Sequence, residues 1–146
     1  MLNYSKPTGR CKVKAEDIMI TKIEFIEPDA TVYDAIEKMI DRRLRSLVVR
    51  PKDEKDVNGI ITARDIVFKV LGENLDPKKM KVEEITEKPL VCIDKKMDLE
   101  HIISLMKRFN IARAFVCDGV QVIGVVALLD VMSASLIKKA RGSRAD

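Results

Sequence analysis

Apolar positions come in short bursts along this chain, and their spacing switches between two periods. Residues 23–26 and 47–49 are dense in β-branched and apolar side chains, which predicts brief strands. Between them Val32, Ala35, Ile36 and Met39 fall three or four apart, the spacing of one helix face. Thr31 stands before that face as an N-cap with Asp34 at the capping-box position, and Pro28-Asp29-Ala30 stops the preceding strand. The helix ends in Arg42-Arg43, which suits the negative end of its dipole. A charged turn at 51–56 joins the strand at 47–49 to another at 57–61, predicting a hairpin. A short helical piece at 16–19 precedes all this, and a helix over 64–71, ended by Gly72, closes the set.

The whole pattern then returns. Gly59-Ile60-Ile61-Thr62-Ala63-Arg64-Asp65 recurs, altered, as Gly124-Val125-Val126-Ala127-Leu128-Leu129-Asp130. A shift of 67 residues superposes Ile18 on Ile85, Val32 on Leu99, Ile36 on Ile103 and Met39 on Met106. Past the hairpin the shift drops to 65, because the second turn, Asp118-Gly119-Val120-Gln121, is shorter, a change that surface loops absorb. The expected fold class is therefore α/β, two β-α-β-β-α repeats packed with pseudo-twofold symmetry through their sheets, helices outside. The expected division is a flexible arm at 1–10, a first unit at 11–72, a linker at 73–81, a second unit at 82–140 with its last helix over 129–139, and a flexible tail at 141–146.

Composition narrows the picture without changing it. With 47% apolar and 34% charged residues and no Trp, the chain has the balance of a folded domain with an aliphatic core. No apolar run spans a bilayer and no signal segment opens the chain, so a cytoplasmic protein with no membrane insertion is expected. Cys11, Cys92 and Cys117 form no CxxC pair and, with His101 the single histidine, no zinc pattern. They read as reduced core or near-core thiols, Cys11 being the one candidate for a redox role. The net charge of +4 favours anionic partners.

Candidate chemistry centres on Thr62 and Asp65. A helix beginning at Thr62 offers free backbone N–H groups and a positive dipole end, and Asp65, one turn in, can accept from a pair of hydroxyls. Thr-x-x-Asp is equally the signature of a capping box, worth roughly 1 kcal/mol, and both roles can coexist. Asp130 bears on the choice, because it persists where Ala127 has no hydroxyl to cap with; two readings stay open, a carboxylate kept for another purpose and one that favours the helix dipole.

In order, spacing and repetition, the fragments Glu16-Asp17-Ile18-Met19, Val82-Glu83-Glu84-Ile85-Thr86, Ala30-Thr31-Val32-Tyr33-Asp34-Ala35 and Gly59 to Asp65 resemble a pair of cystathionine-beta-synthase-type domains, the Bateman module. The resemblance covers residues 12–139. It implies a regulatory, ligand-sensing module that takes AMP, ADP, ATP or S-adenosylmethionine in the cleft between its two units, with no catalytic cofactor. It also implies a homodimer and a regulated enzyme, channel or transporter as partner. On that resemblance the nucleotide site comprises Thr62, Asp65, Thr86, Lys88, Pro89, Leu90 and Arg113. A second, weaker site comprises Asp130, Thr21, Lys22, Ile23 and Arg45. Arg45 aligns with Ala112, and Arg113 with Ser46, so the two arginines are not equivalent, and each reads as well as a solvated side chain.

Nothing in the sequence supplies a paired nucleophile and base, a P-loop or a Rossmann fingerprint, so no enzyme activity and no catalytic or metal residues are expected. His101 reads as a partly exposed helix residue. The alternatives are an adaptor that works through its dimer surface without ligand, and a nucleic-acid-binding protein. Scattered basic residues with little aromatic interleaving disfavour the second.

Overall fold

A computed structural model describes residues 12–145, with side chains up to 136. The expected arm at 1–10, Cys11 and Asp146 lie outside the described residues. The elements run α1 (Ala15–Ile18), β1 (Phe25–Ile26), α2 (Val32–Arg42), β2 (Ser46–Val49), β3 (Gly59–Thr62), α3 (Ala63–Lys69), β4 (Cys92–Asp94), α4 (Leu99–Phe109), β5 (Arg113–Asp118), β6 (Gln121–Ala127) and α5 (Leu128–Ala145). They form two β-α-β-β-α repeats with two three-stranded sheets, ordered β1-β2-β3 and β4-β5-β6. In each sheet the first pair is parallel and the second antiparallel, as a helical crossover followed by a hairpin requires. No helix among the described residues is long and apolar enough to cross a membrane.

The two long helices are built alike. Thr31 Oγ1 accepts from Asp34 N at 3.0 Å while Asp34 Oδ2 accepts from Thr31 N at 3.1 Å, completing the box. In the second repeat Asp98 caps α4, its Oδ1 accepting from His101 N at 3.0 Å. His101 itself is exposed, with Nδ1 2.9 Å from Asp98 Oδ1. Both helices end on a left-handed residue, Arg43 at φ 56° and Asn110 at φ 51°, 67 positions apart. One core gathers Val32, Ala35 and Met39 of α2 with Leu47, Val49 and Ile61 of its sheet. The other gathers Leu99, Ile102 and Met106 of α4 with Ile93, Ala114, Val116 and Val126.

The compact units cut across the sequence repeats. One comprises residues 23–90; the other joins 1–22 to 91–146. The cause lies in backbone hydrogen bonds at the helix entrances. Leu99 N donates to Val13 O and Ala15 N to Met97 O, both at 2.8 Å, which fastens the chain's first described segment to the start of α4. Val32 N donates to Met80 O and Val82 N to Ala30 O, also at 2.8 Å, which fastens the linker to the start of α2. The two sets are equivalent under the 67-residue shift. Each repeat's entrance therefore completes the unit built on the other repeat's helix.

Three expectations are corrected. Gly72 does not end α3: the helix stops at Lys69, Gly72 sits inside a 3₁₀ turn at Leu71–Glu73, and Asn74 takes the left-handed position at φ 58°. Asparagine tolerates that conformation through its short polar side chain. The last helix continues past 139 to Ala145, since one glycine within a helix costs only about 1 kcal/mol. Nor are Cys92 and Cys117 core thiols. Cys92 is exposed on edge strand β4 and is disulfide-bonded to Cys117 on β5, with a Cα separation of 6.0 Å. Cys92 pairs with Phe115 and Asp94 with Cys117, so the two cysteines lie on a diagonal of the parallel ladder. In the first sheet the same diagonal holds Phe25 and Arg50, the guanidinium 4.4 Å above the ring.

Two substitutions test this account by denaturant unfolding. Ile102→Ala, at a fully buried α4 position, is expected to cost about 2–5 kcal/mol through lost burial and a residual cavity. Arg43→Gly, which relieves a left-handed non-glycine at the end of α2, is expected to stabilise by about 1 kcal/mol.

Candidate functional site

The candidate site in the unit at 23–90 is assembled where residues 86–88 run along β3. Ile60 N donates to Glu87 O at 2.9 Å and Glu87 N to Ile60 O at 3.0 Å, a reciprocal backbone bridge. Leu90 N then donates to Asn58 O at 3.0 Å. This approach requires Gly59: a Cβ there would collide with Thr86 Cγ2 and lie 2.9 Å from Glu87 O. Four of the expected residues, Thr86, Lys88, Pro89 and Leu90, are thereby laid beside the strand that leads into Thr62 and Asp65. Leu90 is buried, Thr86 Oγ1 donates to Val82 O at 2.8 Å, and the Lys88–Pro89 peptide is cis.

Thr62 is the N-cap of α3, its Oγ1 accepting from Asp65 N at 3.1 Å. The Asp65 carboxylate does not return the bond to close a box. Its side chain is only 12% exposed. Oδ1 lies 3.4 Å from Lys69 Nζ, while Oδ2 is buried with no hydrogen-bond partner among the described residues. A buried carboxylate oxygen without a donor is costly, so this atom is the strongest local signal of a ligand that donates. Lys69 also reaches Glu87 Oε2 at 3.5 Å, which ties the end of α3 to the 86–88 segment. The Asp65 charge holds the Lys69 ammonium above its ordinary pKa.

The equivalent place in the other unit uses its carboxylate differently. Ile20 and Val125 form the matching reciprocal bridge at 2.8 and 2.9 Å, and a Cβ on Gly124 would lie 2.7 Å from Met19 Sδ. Asp130 Oδ2, however, accepts from Ala127 N at 2.8 Å. With no hydroxyl at 127, the aspartate caps its own helix. This supplies the local reason for its presence that the sequence left open. Thr21 and Lys22 are exposed just beyond the bridge at Ile20, and Ile23 is half-buried at the start of the neighbouring unit. Arg113 opens β5 opposite Ala127, and it is engaged in an interaction of its own. Arg45 is exposed, its carbonyl accepting from Ala63 N at 2.9 Å, as Ala112 O does from Leu128 N at 3.1 Å. The backbone thus repeats the alignment of Arg45 with Ala112.

Sequence reasoning missed Lys69, Glu87 and Asp56. Lys69 carries a readable signal, since it stands four residues after Asp65 on one helix. Asp56 carries none, because its partner is 32 residues away: Lys88 Nζ meets its two carboxylate oxygens at 2.7 and 2.8 Å. That contact, with backbone N–H groups of Lys52 and Val57, lowers the Asp56 pKa from 3.8 to about 2. Because the folded value lies below the ordinary one, the stabilisation is fully present above 3.8 and is lost as pH falls toward about 2. An NMR titration of the Asp56 carboxyl is expected to report the low midpoint, and Lys88→Met to move it back toward 3.8.

With this geometry established, comparison with known proteins identifies the scaffold. The CBS domain family model matches residues 15–72 and again 82–137. An uncharacterised protein of Methanocaldococcus jannaschii is 27% identical over 79% of this chain and 62% of its own length. The inosine-5'-monophosphate dehydrogenase of the same organism is 30% identical over 82% of this chain but 23% of its own. The chain thus spans less than two thirds of these curated relatives. A hexameric CBS-CP12 protein from bloom-forming cyanobacteria superposes with a TM-score of 0.76 at 36% identity, covering 83% of this chain and 67% of that one. The chain belongs to the CBS-domain family, as a tandem Bateman module, a regulatory rather than a catalytic unit.

Proposed function

We propose that this module senses an adenosine-containing ligand, AMP, ADP, ATP or S-adenosylmethionine, whose ribose hydroxyls donate to Asp65. The observation that carries this reading is the buried Asp65 Oδ2 without a donor. Two neighbouring hydroxyls match a carboxylate that is fixed in place, and a charge-assisted bond in a half-buried site is among the stronger polar contacts. Thr62 positions that carboxylate through the α3 cap, while Thr86, Lys88, Pro89 and Leu90 form the wall along β3. The second set, reduced to Asp130, Thr21 and Lys22 of the other unit, makes a poorer site because Asp130 is committed to Ala127 N.

The ligand signal would pass to a regulated enzyme or transporter through differential binding to two states of the module or of a homodimer. Support for self-association comes from apolar side chains left exposed on three helices, Ile40, Ile103, Leu128 and Met132 among them; Ile36, by contrast, packs against its core.

Calorimetric titration with AMP, ATP and S-adenosylmethionine is expected to give saturable heat with at least one of them. No heat and no thermal shift with any of the three would leave the adaptor reading in its place. Asp65→Asn is expected to weaken binding by roughly tenfold or more, having replaced a charged acceptor by a neutral one. Asp130→Asn is expected to leave affinity nearly unchanged while lowering stability by up to about 1 kcal/mol through the weakened cap. A reversed order would assign the ligand to the other unit.

A further inference from the structure

The Cys92–Cys117 pair has no part in the proposed ligand contacts. β4 is an edge strand of only three residues, exposed, buried and exposed in turn, so a single side chain, Ile93, anchors it in the core. Backbone bonds from Phe115 N to Val91 O at 3.1 Å and from Lys95 N to Cys117 O at 3.2 Å bracket it on β5. The disulfide crosses the ladder between those two bonds, with Cys92 exposed and Cys117 half-buried. The corresponding diagonal of the first sheet is crossed by the Phe25–Arg50 contact, so both edge strands carry a side-chain clasp at the same place. One clasp is a weak non-covalent contact; the other is covalent and open to solvent.

We propose that Cys92–Cys117 is a thiol–disulfide exchange site for low-molecular-weight thiols of the glutathione class, and that its state sets how firmly β4 is held. The accessible sulfur is that of Cys92, so a thiolate from solvent attacks there. The S–S bond breaks, its electron pair leaves on Cys117, which takes a proton from water, and Cys92 carries a mixed disulfide. A second small thiolate attacks the small-molecule sulfur of that mixed disulfide and releases Cys92 as a thiolate, which is protonated in turn. Two small thiols are thereby oxidised to one disulfide and the protein cystine is reduced to two thiols; the reverse sequence, with the small disulfide as oxidant, closes the clasp. Opening removes the covalent constraint from a strand whose remaining attachments are few, and local opening becomes more frequent there than elsewhere.

The test equilibrates the full chain in glutathione buffers from oxidising to reducing poise, maps linkages by alkylation and peptide mass spectrometry, and follows amide hydrogen exchange. A Cys92–Cys117 linkage that appears and disappears reversibly is expected. On reduction, exchange should rise roughly tenfold or more at the Phe115 and Lys95 amides, with Val48 and Arg50 of the first sheet unchanged. The double variant C92S/C117S should show the fast exchange in every buffer; reduction of the wild-type chain gives the same readout without relying on that variant's folding. Linkage of either cysteine to Cys11 instead, a bond that no poise opens or forms, or equal acceleration at Val48 and Phe115 would overturn the proposal.

Discussion

Two backbone segments pressed against two hairpin strands organise this protein. At Ile60–Glu87 and again at Ile20–Val125, a non-helical stretch exchanges both hydrogen bonds with the middle of a strand. The distance this demands leaves no volume for a Cβ on the neighbouring residue, so glycine occupies 59 and 124. Remove the close approach and several features go with it. The wall at 86–90 loses its place beside β3, Lys69 loses Glu87, and each entrance segment loses one of its two attachments to the unit it completes. The glycines that mark the repeat in the sequence are therefore steric requirements of an inter-segment contact more than features of a turn.

On that common frame the two repeats put one carboxylate to two uses. A hydroxyl at 62 takes over the capping of α3, which leaves Asp65 half-buried with an oxygen to offer. Asp130 accepts from the N–H of Ala127, so its acceptor capacity is partly consumed. The hydroxyl and the carboxylate serve different N–H groups of a helix start, and in the Thr31–Asp34 box both are used. Asp65 departs from Asp34 and Asp130 in leaving the N-cap N–H and lying beside Lys69 instead.

Much of this was legible in the residues. The periodicities at 32–39 and 99–106, the Thr31–Asp34 box and the hairpins followed from local rules, and the structure repeats them. Element ends were harder to read: Gly72 looks like a stop but lies in a 3₁₀ turn, and the helix expected to end at 139 runs on to Ala145. The cysteines were misjudged for a related reason. Apolar neighbours suggested burial, but alternation along β4 turns Cys92 outward and Ile93 inward. At the site, Thr62 and Asp65 stood out, since a cap is a local pattern. Asp56 did not, since nothing in a sequence announces an ion pair spanning 32 residues. The entrance segments likewise gave no local sign of which helix they would join.

That exchange of segments makes one unit an insertion within the other. Residues 23–90 form a continuous stretch, whereas the second unit must bring 1–22 together with 91–146 across all of it. Closing a long flexible loop carries an entropic cost that grows with its length, and a stretch that has already folded is a shorter tether than a free chain of the same residue count. The continuous unit is therefore placed to order first and to shorten the search for the discontinuous one. The boundary between the repeats, at the linker, is consequently a poor place to divide the chain: a cut there gives each half a helix without its entrance strap, and neither half contains a whole unit.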